Sequence, residues 1–438
     1  MTTLIEPRTT RIAPAASATI SAPARSRRDP SIDLARAWCL VVVVALHALM
    51  VGVSLVDGAP VLENALEAWS GFAAFTWVAQ IMPLFFVLGG FSSATQWGRL
   101  RAEGVPAHRY VLMRVRRLLA PAVTAMAAIA VLLLGLLAVG VPDDVVAIAG
   151  FRMSQPLWFL GVYLLCTALV PLMTAAHRAA PRATLAGLAA LVVGVDVARM
   201  STGAVAIGFA NLLFVWLLVQ QLGFRLADDR ARASRRRLLA IAAGALVALA
   251  ALCASGLYSP DLLENLNPPT AALVLLGIAQ LCLFELARPA LRRAHGIRAI
   301  RAATTAINAR AMTIYSWHMP VLIVLAGALL LGVGEALPTP LSPEWWATRA
   351  AWLAAVAVAV TAVVAVAGRR EAGARMPSVA TRALVPARLA APVALSAAAA
   401  GVLVVLLAGS SPLAWIAGAA LLASALALAT NTAGAPGR

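Results

Sequence analysis

The most informative polar residues of the chain lie in its first long apolar segment. Asp33 and Arg36 stand near the beginning of that segment, and His47 follows Arg36 by eleven residues. An ionisable side chain at membrane depth costs about 3 kcal/mol on insertion scales, so each is a candidate for function. Eleven residues make almost three helical turns, which places Arg36 and His47 on one face, about 16 Å apart along the axis. A neutral imidazole there could act as general base toward an alcohol.

These residues also have structural interpretations. Asp33 lies one turn before Arg36, so the two could form an ion pair that reaches the membrane surface. His47 could hydrogen-bond to a neighbouring helix. The residues alone leave these alternatives open.

A second group consists of Tyr315, His318 and Pro320 near the start of a later apolar run. Pro320 frees backbone groups that neighbours must satisfy, so Tyr315 and His318 suit either a structural corner or a supporting catalytic role. Two intramembrane histidines could also be axial haem ligands, but the usual pairing across a four-helix core is missing. The four cysteines lie in or beside apolar runs without CxxC spacing, so we expect no disulfide framework, no metal site and no bound cofactor.

A third group lies in the basic segment before the third apolar run. Arg114 and Arg117 have i,i+3 spacing, so both guanidinium groups could face one phosphate-bearing ligand, although membrane topology also explains their charge. Trp158 suits an aromatic belt at the outer membrane surface. The sequence Gly89-Gly90-Phe91 would allow close approach of a helix or a ligand, and helix packing is the simpler cause.

The composition requires these residues to work inside a membrane. Of 438 residues, 62% are hydrophobic and 12% are charged, which excludes an ordinary soluble domain. The net charge of +17 comes from arginines between apolar runs, with no lysine, so it indicates topology and not nucleic-acid binding.

The apolar runs predict an all-α polytopic membrane helix bundle. A crossing needs about 20 apolar residues, and about twelve runs qualify. Their approximate bounds are 34–56, 72–97, 118–141, 157–176, 183–197, 204–224, 238–257, 270–286, 311–333, 347–367, 391–408 and 413–430.

The arginines predict how the bundle is oriented. Clusters lie before the first run and within 99–117, 225–237, 288–310 and 369–388, all on one side, whereas the opposite loops are acidic. Basic loops stay cytoplasmic, so we expect a multi-pass cytoplasmic-membrane protein with both termini inside. Residues 1–30 have no apolar core and are expected to be a disordered tail, not a cleaved signal peptide.

The motifs, taken in order, resemble the membrane-bound acyltransferase-3 family, which O-acylates sugars, glycans and some antibiotics. The matching motifs are Asp33-x-x-Arg36 with His47, the segment 83–91, Arg114-x-x-Arg117 followed by Pro121, the segment 156–160, and Tyr315-x-x-His318-x-Pro320. The family commonly has Ser-Gly-Phe where this chain has Gly89-Gly90-Phe91, so any role of that serine hydroxyl is absent here.

The resemblance implies roles for individual residues. His47 would be the general base on the acceptor hydroxyl, Arg36 would hold the donor or polarise its thioester carbonyl, and Asp33 would orient Arg36. Arg114 and Arg117 would bind the phosphates of cytoplasmic acyl-CoA, a co-substrate. The supporting residues would be Tyr315, His318, Trp158 and Phe91.

The resemblance also divides the chain. It implies a ten-helix acyltransferase-3-like domain at 31–370, followed by a cytoplasmic loop at 371–390, two additional transmembrane helices at 391–430 and a tail at 431–438. The implied acceptor is a hydroxyl-bearing glycan, lipid-linked sugar or small molecule. The partners would be acyl-CoA, this acceptor and the bilayer, with no nucleic acid.

Twelve helices with both ends inside also suit a proton-coupled secondary transporter, with His and Arg as relays. Transporters often show matched halves, and residues 34–224 and 238–430 show no convincing repeat. A structural membrane protein would leave Arg36 and His47 without purpose.

Overall fold

The computed structural model describes residues 29–56, 59–228, 233–373 and 386–433. The expectation of a disordered tail concerns residues that lie almost entirely outside this range. The described chain is mostly α-helical, with one two-stranded antiparallel hairpin.

The first half of the chain contains the hairpin and ten helices. In order they are α1 (Pro30–Met50), β1 (Val51–Val56), β2 (Ala59–Asn64), α2 (Phe72–Ala79), α3 (Met82–Ala102), α4 (Ala107–Ala138), α5 (Asp143–Ser154), α6 (Leu157–Ala168), α7 (Val170–Ala179), α8 (Pro181–Thr202), α9 (Val205–Gly208) and α10 (Asn211–Ala227). The second half contains α11 (Arg235–Ala254), α12 (Ala271–Gly296), α13 (Arg298–Ala309), α14 (Ala311–Val333), α15 (Pro343–Gly373), α16 (Ala387–Ala408) and α17 (Pro412–Ala433).

Twelve helical segments among the described residues are long and apolar enough to cross a membrane, which confirms the predicted number. Some of these spans are interrupted. One consists of α2 and α3, and another consists of α5 and α6. Non-helical backbone within a bilayer is tolerated where it is buried in protein or borders a cavity, so these interruptions mark places of interest.

The predicted bounds of the first span are wrong at its end. The apolar run continues to residue 56, but α1 ends at Met50 and Val51–Val56 pairs antiparallel with Ala59–Asn64. This segment is rich in valine, whose branched side chain favours strands. Hydropathy therefore located the span, and local conformational preference set where the helix ends.

The fourth span also differs from its prediction. It begins at Asp143 and not near residue 157, and a turn at Gln155 and Pro156 divides α5 from α6. Proline has no N–H to donate to the preceding helical turn, which accounts for the break. As a result, Trp158 follows a break inside a span instead of a loop at the membrane surface.

Asp29 fixes the start of α1, the helix that carries Arg36 and His47. Its side chain caps the helix by accepting a hydrogen bond from the backbone N–H of Ser31. The Asp29 carboxylate also lies 2.6 Å from Arg288 Nη2 and 2.8 Å from Arg292 Nη2 on α12. Burial opposes ionisation of Asp29, but hydrogen bonds from Arg292, Ser31 and Arg288 outweigh it and hold its pKa well below the usual range. This network ties α1 to α12.

Glycines bring α3 and α10 into close contact. A Cβ atom on Gly90 would overlap the backbone carbonyl of Gln220, and one on Gly223 would overlap that of Val87. A Cβ on Gly89 would lie 3.3 Å from the ring of Tyr163. Close helix packing therefore accounts for the glycine pair before Phe91.

Candidate active site

One cavity of about 280 Å³ lies inside the bundle, bordered by parts of α1, α3, α4, α6 and α14. Both Arg36 and His47 border it, as their helical spacing predicts. The other cationic residues on its wall are Arg114, Arg117 and Arg310, and none of the described lining residues is Asp or Glu. The cavity therefore offers a strongly positive environment.

Two of these arginines, Arg36 and Arg114, have donors available for an anionic ligand. The Arg36 side chain has no hydrogen bond or ion pair with any described residue. Arg114 donates from Nη1 to Gln96 Oε1 at 3.1 Å, while its buried Nε has no partner in the described structure. Buried donors are normally satisfied, so an unpartnered guanidinium N–H beside a cavity is suited to bind a ligand oxygen.

The structure brings together the two histidines that the sequence singled out separately. His47 Nδ1 and His318 Nε2 lie 3.2 Å apart, and His318 Nδ1 lies 2.6 Å from the carbonyl oxygen of Tyr315. The residues of this pair are 271 positions apart in the chain. His318 is buried, whereas His47 borders the cavity.

These partners determine the tautomers of the neutral pair. A carbonyl oxygen can accept but not donate, so His318 Nδ1 carries a proton and donates it to Tyr315. His318 Nε2 is then an acceptor, and it receives the N–H of His47 Nδ1. In this tautomer the lone pair of His47 lies on Nε2, and the ring also has a hydrogen bond with the backbone of Val43. This is the form that a general base requires.

Tyr315 connects the histidine pair to α6. Its hydroxyl donates to the carbonyl oxygen of Pro156 at 2.7 Å, at the break between α5 and α6. Its ring centroid lies 5.1 Å from that of Phe159 and 6.0 Å from that of His318. The Pro156 carbonyl also accepts the backbone N–H of Phe159 at 3.1 Å, so this oxygen serves both the start of α6 and Tyr315.

Trp158 borders the cavity, a position that its interpretation as part of an aromatic belt did not predict. Its ring stacks against Trp216, with centroids 5.8 Å apart and planes inclined by 26°. Trp216 in turn stacks on Phe86 at 4.3 Å. Trp158 therefore lies on the wall of the cavity, and the buried rings of Trp216 and Phe86 stack behind it.

The cavity extends between the two ends of the bundle. Arg36 lies in the second turn of α1 and His47 in its last turn, and the connection between α13 and α14 contributes Arg310 on the Arg36 side. At the other end, Gln80 and the loop residues Leu263 and Leu266 border the cavity. Gln80 is held in place by two hydrogen bonds. Its side-chain Nε2 donates to the Leu262 carbonyl, and its backbone carbonyl accepts from Gln280 Nε2.

Besides the buried His318, two candidate residues lie away from the cavity wall. Asp33 accepts a hydrogen bond through its backbone carbonyl from Asn308, and it forms no ion pair with Arg36 in the described structure. Phe91 packs with a cluster that includes Cys39 on α1. Their placement associates them with helix packing beside the site and not with its surface.

Several polar residues near the site were not singled out from the sequence. Gln96, Asn308 and Arg310 border the cavity, and the only signal for Arg310 was its place in a basic loop. Asp196, on α8, is buried away from the cavity, where it accepts from Tyr258, Asn211 and the backbone of Ala271. The sequence feature that could have identified Asp196 is an acidic residue inside the fifth apolar run.

The described residues contain no group of three or more His, Cys, Asp or Glu side chains that could hold a metal ion. The four cysteines are free, and three of them are buried.

Comparison with protein families matches residues 29–368 to the acyltransferase-3 family model, which is described as an acyltransferase domain. The matched segment contains every candidate site residue and ends within α15, before α16 and α17. Searches of curated proteins and of solved structures gave no match.

Proposed function

Because the chain belongs to the acyltransferase-3 family, we propose that this multi-pass membrane protein moves an acyl group from acyl-CoA to a hydroxyl group. The transferred group is acetyl in the simplest case. The acceptor is a carbohydrate, a glycan, a lipid-linked sugar or a secondary metabolite.

The observation that supports this proposal best is that His47 borders an arginine-lined cavity and pairs with the buried His318. In the assigned tautomer His47 carries its lone pair on Nε2, and His318 holds it in that tautomer. An alcohol is a poor nucleophile until a base takes its proton, whereas a thioester is already activated. A positioned base and a binding site for the donor are therefore most of what the reaction needs.

The positive charge of the cavity suits coenzyme A as the donor. Its phosphates match guanidinium groups, and Arg114 and Arg117 lie at the same end of the cavity as Arg36. Ligand pockets usually measure about 300–1,000 Å³, so a cavity of about 280 Å³ is small for the whole donor. It would hold the acyl and pantetheine portion, while the nucleotide stays near the arginines at the mouth.

The reaction proceeds by acyl transfer to oxygen. His47 Nε2 removes the proton of the acceptor hydroxyl as its oxygen attacks the thioester carbonyl carbon. Arg36, almost three helical turns from His47 at the arginine-rich end, holds the donor through its charged groups while the acyl end reaches His47. The carbon–sulfur bond then breaks, the thiolate takes the proton from His47, and an ester and free coenzyme A result.

The two ends of the cavity suit two substrates. The arginine-rich end would be cytoplasmic by the charge distribution of the loops, with both termini on that side of the cytoplasmic membrane. His47, in the last turn of α1, lies toward the opposite end, beside which Gln80 and Leu263 border the cavity. The acceptor would therefore approach His47 from the end opposite the donor.

The proposal is tested with reconstituted protein, radiolabelled acetyl-CoA and candidate glycan, lipid-linked sugar and metabolite acceptors. We expect His47→Gln to lower transfer by at least about 100-fold, because general-base catalysis is lost. His108→Gln is the matched control, since His108 is exposed at the start of α4.

Equal labelling by wild type and His47→Gln would refute the role of His47 as base. Solute counterflow in proteoliposomes without acyl-CoA would instead favour the transporter alternative. Mass spectrometry of surface glycans and secreted metabolites, with and without the protein, would identify the acceptor.

A further inference from the structure

The C-terminal helices α16 and α17 lie outside the matched segment, yet they pack against its site-bearing helices. A Cβ atom on Gly161 of α6 would lie 3.3 Å from Val402 Cγ1 of α16. A Cβ on Gly418 of α17 would lie 2.8 Å from Met126 Cε of α4. The two helices therefore contact α4, which carries Arg114 and Arg117, and α6, which carries Trp158.

Trp415 of α17 links the two C-terminal helices to the residues around His318. It is fully buried, and its Nε1 donates to the Gly409 carbonyl at 2.8 Å, across the turn between α16 and α17. The turn itself is packed against α5, since a Cβ on Gly409 would lie 2.7 Å from Ser154 Cβ. The indole is therefore held by its hydrogen bond to the turn between α16 and α17, and that turn is held by its packing against α5.

Trp415 borders a small cavity of about 20 Å³ directly behind the histidine pair. The wall of that cavity includes Pro156, Tyr315 and His318, the residues that hold His47 in its proposed tautomer. Here α14 contains Pro320, which cannot donate a backbone hydrogen bond to the preceding turn. The local backbone that carries His318 therefore depends on neighbouring side chains for support.

We propose that α16 and α17 form the rear support of the active site and that Trp415 is a positioning residue for His318. The indole borders the small cavity together with Tyr315 and His318 and limits the space behind them, so the His318 ring keeps the orientation that receives the His47 Nδ1 proton. The catalytic consequence rests on the proposed function, whereas the positioning of the imidazole does not.

The experiment compares Trp415→Ala and Trp415→Phe with a matched control, Leu422→Ala. Leu422 is fully buried in the same helix, packs toward α16 beside Gly401 and does not border the small cavity. Trp415→Ala leaves space into which Tyr315 and His318 can move, whereas the ring in Trp415→Phe fills most of that space. All variants are prepared as full-length protein and checked for thermal stability.

Two readouts separate positioning from general destabilisation. The first is ¹⁵N NMR of histidine-labelled protein without substrate, which reports the protonated nitrogens of the pair; His318→Gln assigns the signals. The second is the kinetics of acyl transfer, measured as kcat and as KM for acetyl-CoA.

We expect Trp415→Ala to change the ¹⁵N signals of the pair and to lower kcat by about 10- to 100-fold, because small displacements of catalytic groups cost that much. KM for the donor should stay within about twofold, since the arginines are untouched, and Trp415→Phe should restore most of kcat. Changed signals without transfer by any protein, wild type included, would support positioning and refute the acyltransferase proposal. Signals and kcat that match those of Leu422→Ala would overturn the inference.

Discussion

At the scale of single residues, the two imidazoles of the site differ because their partners differ. His318 donates to the Tyr315 carbonyl, so its remaining nitrogen accepts, and His47 must donate to it. This chain of donors leaves the free lone pair on His47, the residue that borders the cavity. In the proposed mechanism, two residues of one type thereby take separate roles, one as base and one as its support.

A first prediction concerns His318. His318→Leu should lower kcat by about 10- to 100-fold, because His47 Nδ1 loses its acceptor and the ring can rotate. His318→Gln should retain more activity, since an amide oxygen can accept the same proton. Steady-state kinetics check this, with KM for acetyl-CoA expected to stay near its wild-type value. Wild-type kcat in His318→Leu would contradict the pairing as a catalytic feature.

A second prediction concerns the donor. Replacing both Arg114 and Arg117 by Gln should weaken coenzyme A binding by about 10- to 100-fold, since each charged hydrogen bond contributes about 1.5–3 kcal/mol and much of this is recovered from water. Isothermal titration calorimetry of the purified protein measures this. Arg116→Gln is the control, because Arg116 belongs to the same helix but does not border the cavity. Unchanged affinity in the double variant, with normal membrane insertion, would exclude both arginines from donor binding.

At the scale of elements, the site depends on where helices are interrupted. At the break between α5 and α6, the Pro156 carbonyl accepts hydrogen bonds from both Phe159 N–H and the Tyr315 hydroxyl. The break between α2 and α3 exposes the Gln80 carbonyl, which Gln280 binds. Backbone groups freed inside a membrane must find partners in the protein, so each break joins two spans at a defined depth.

A third prediction concerns the anchoring of α1. Asp29→Asn should lower the free energy of unfolding by about 1–3 kcal/mol at pH 7, because Arg288 and Arg292 lose a charged partner. The folded-state pKa of Asp29 is depressed below the unfolded value, which is near 4. The stabilisation is therefore present above about pH 4 and is lost as the pH falls below it.

Thermal unfolding of detergent-solubilised wild type and Asp29→Asn across this pH range measures the effect. The difference in Tm should shrink as the pH falls below about 4. Asp33→Asn is the matched control, because Asp33 lies in the first turn of the same helix and forms no ion pair within the described residues. An equal loss in both variants at pH 7 would show that the ion network contributes nothing specific.

At the scale of the whole molecule, the cavity separates an arginine-rich end from an end bordered by Gln80, Leu263 and Leu266. The same asymmetry governs insertion, since basic loops resist translocation. The end that binds an anionic donor and the end that stays in the cytoplasm are thus expected to coincide. The phosphates of coenzyme A prevent its passive crossing of a bilayer, so such a donor must enter the cavity from the side of the membrane on which it is present.

A fourth prediction tests this orientation. Glu103 and Asp144 are exposed acidic residues just outside the two ends of α4. In a background without the four native cysteines, Asp144→Cys should react with a membrane-impermeant maleimide in intact cells. Glu103→Cys should react only after permeabilisation. Labelling of Glu103→Cys in intact cells would reverse the predicted topology and the direction from which the donor arrives.

The amino-acid order alone was enough to predict the all-α membrane class, the number of spans, and the placement of Arg36 and His47 on one helix face. These follow from local properties: the length of apolar runs, the distribution of arginines, and the helical spacing of Arg36 and His47. The acyltransferase-3 resemblance, which the family match bears out, came from short motifs in order along the chain.

Which of these residues are in contact depends on how the helices pack in the folded protein. This packing paired His47 with His318, turned Trp158 into the cavity, left Asp33 without an ion pair to Arg36 among the described residues, and placed Trp415 behind the site. The physical reason is that a membrane helix is apolar on all sides, so its hydropathy does not specify which face turns inward. That choice depends on packing between helices, such as the close approach of α3 and α10 at Gly90, and on breaks such as the one at Pro156.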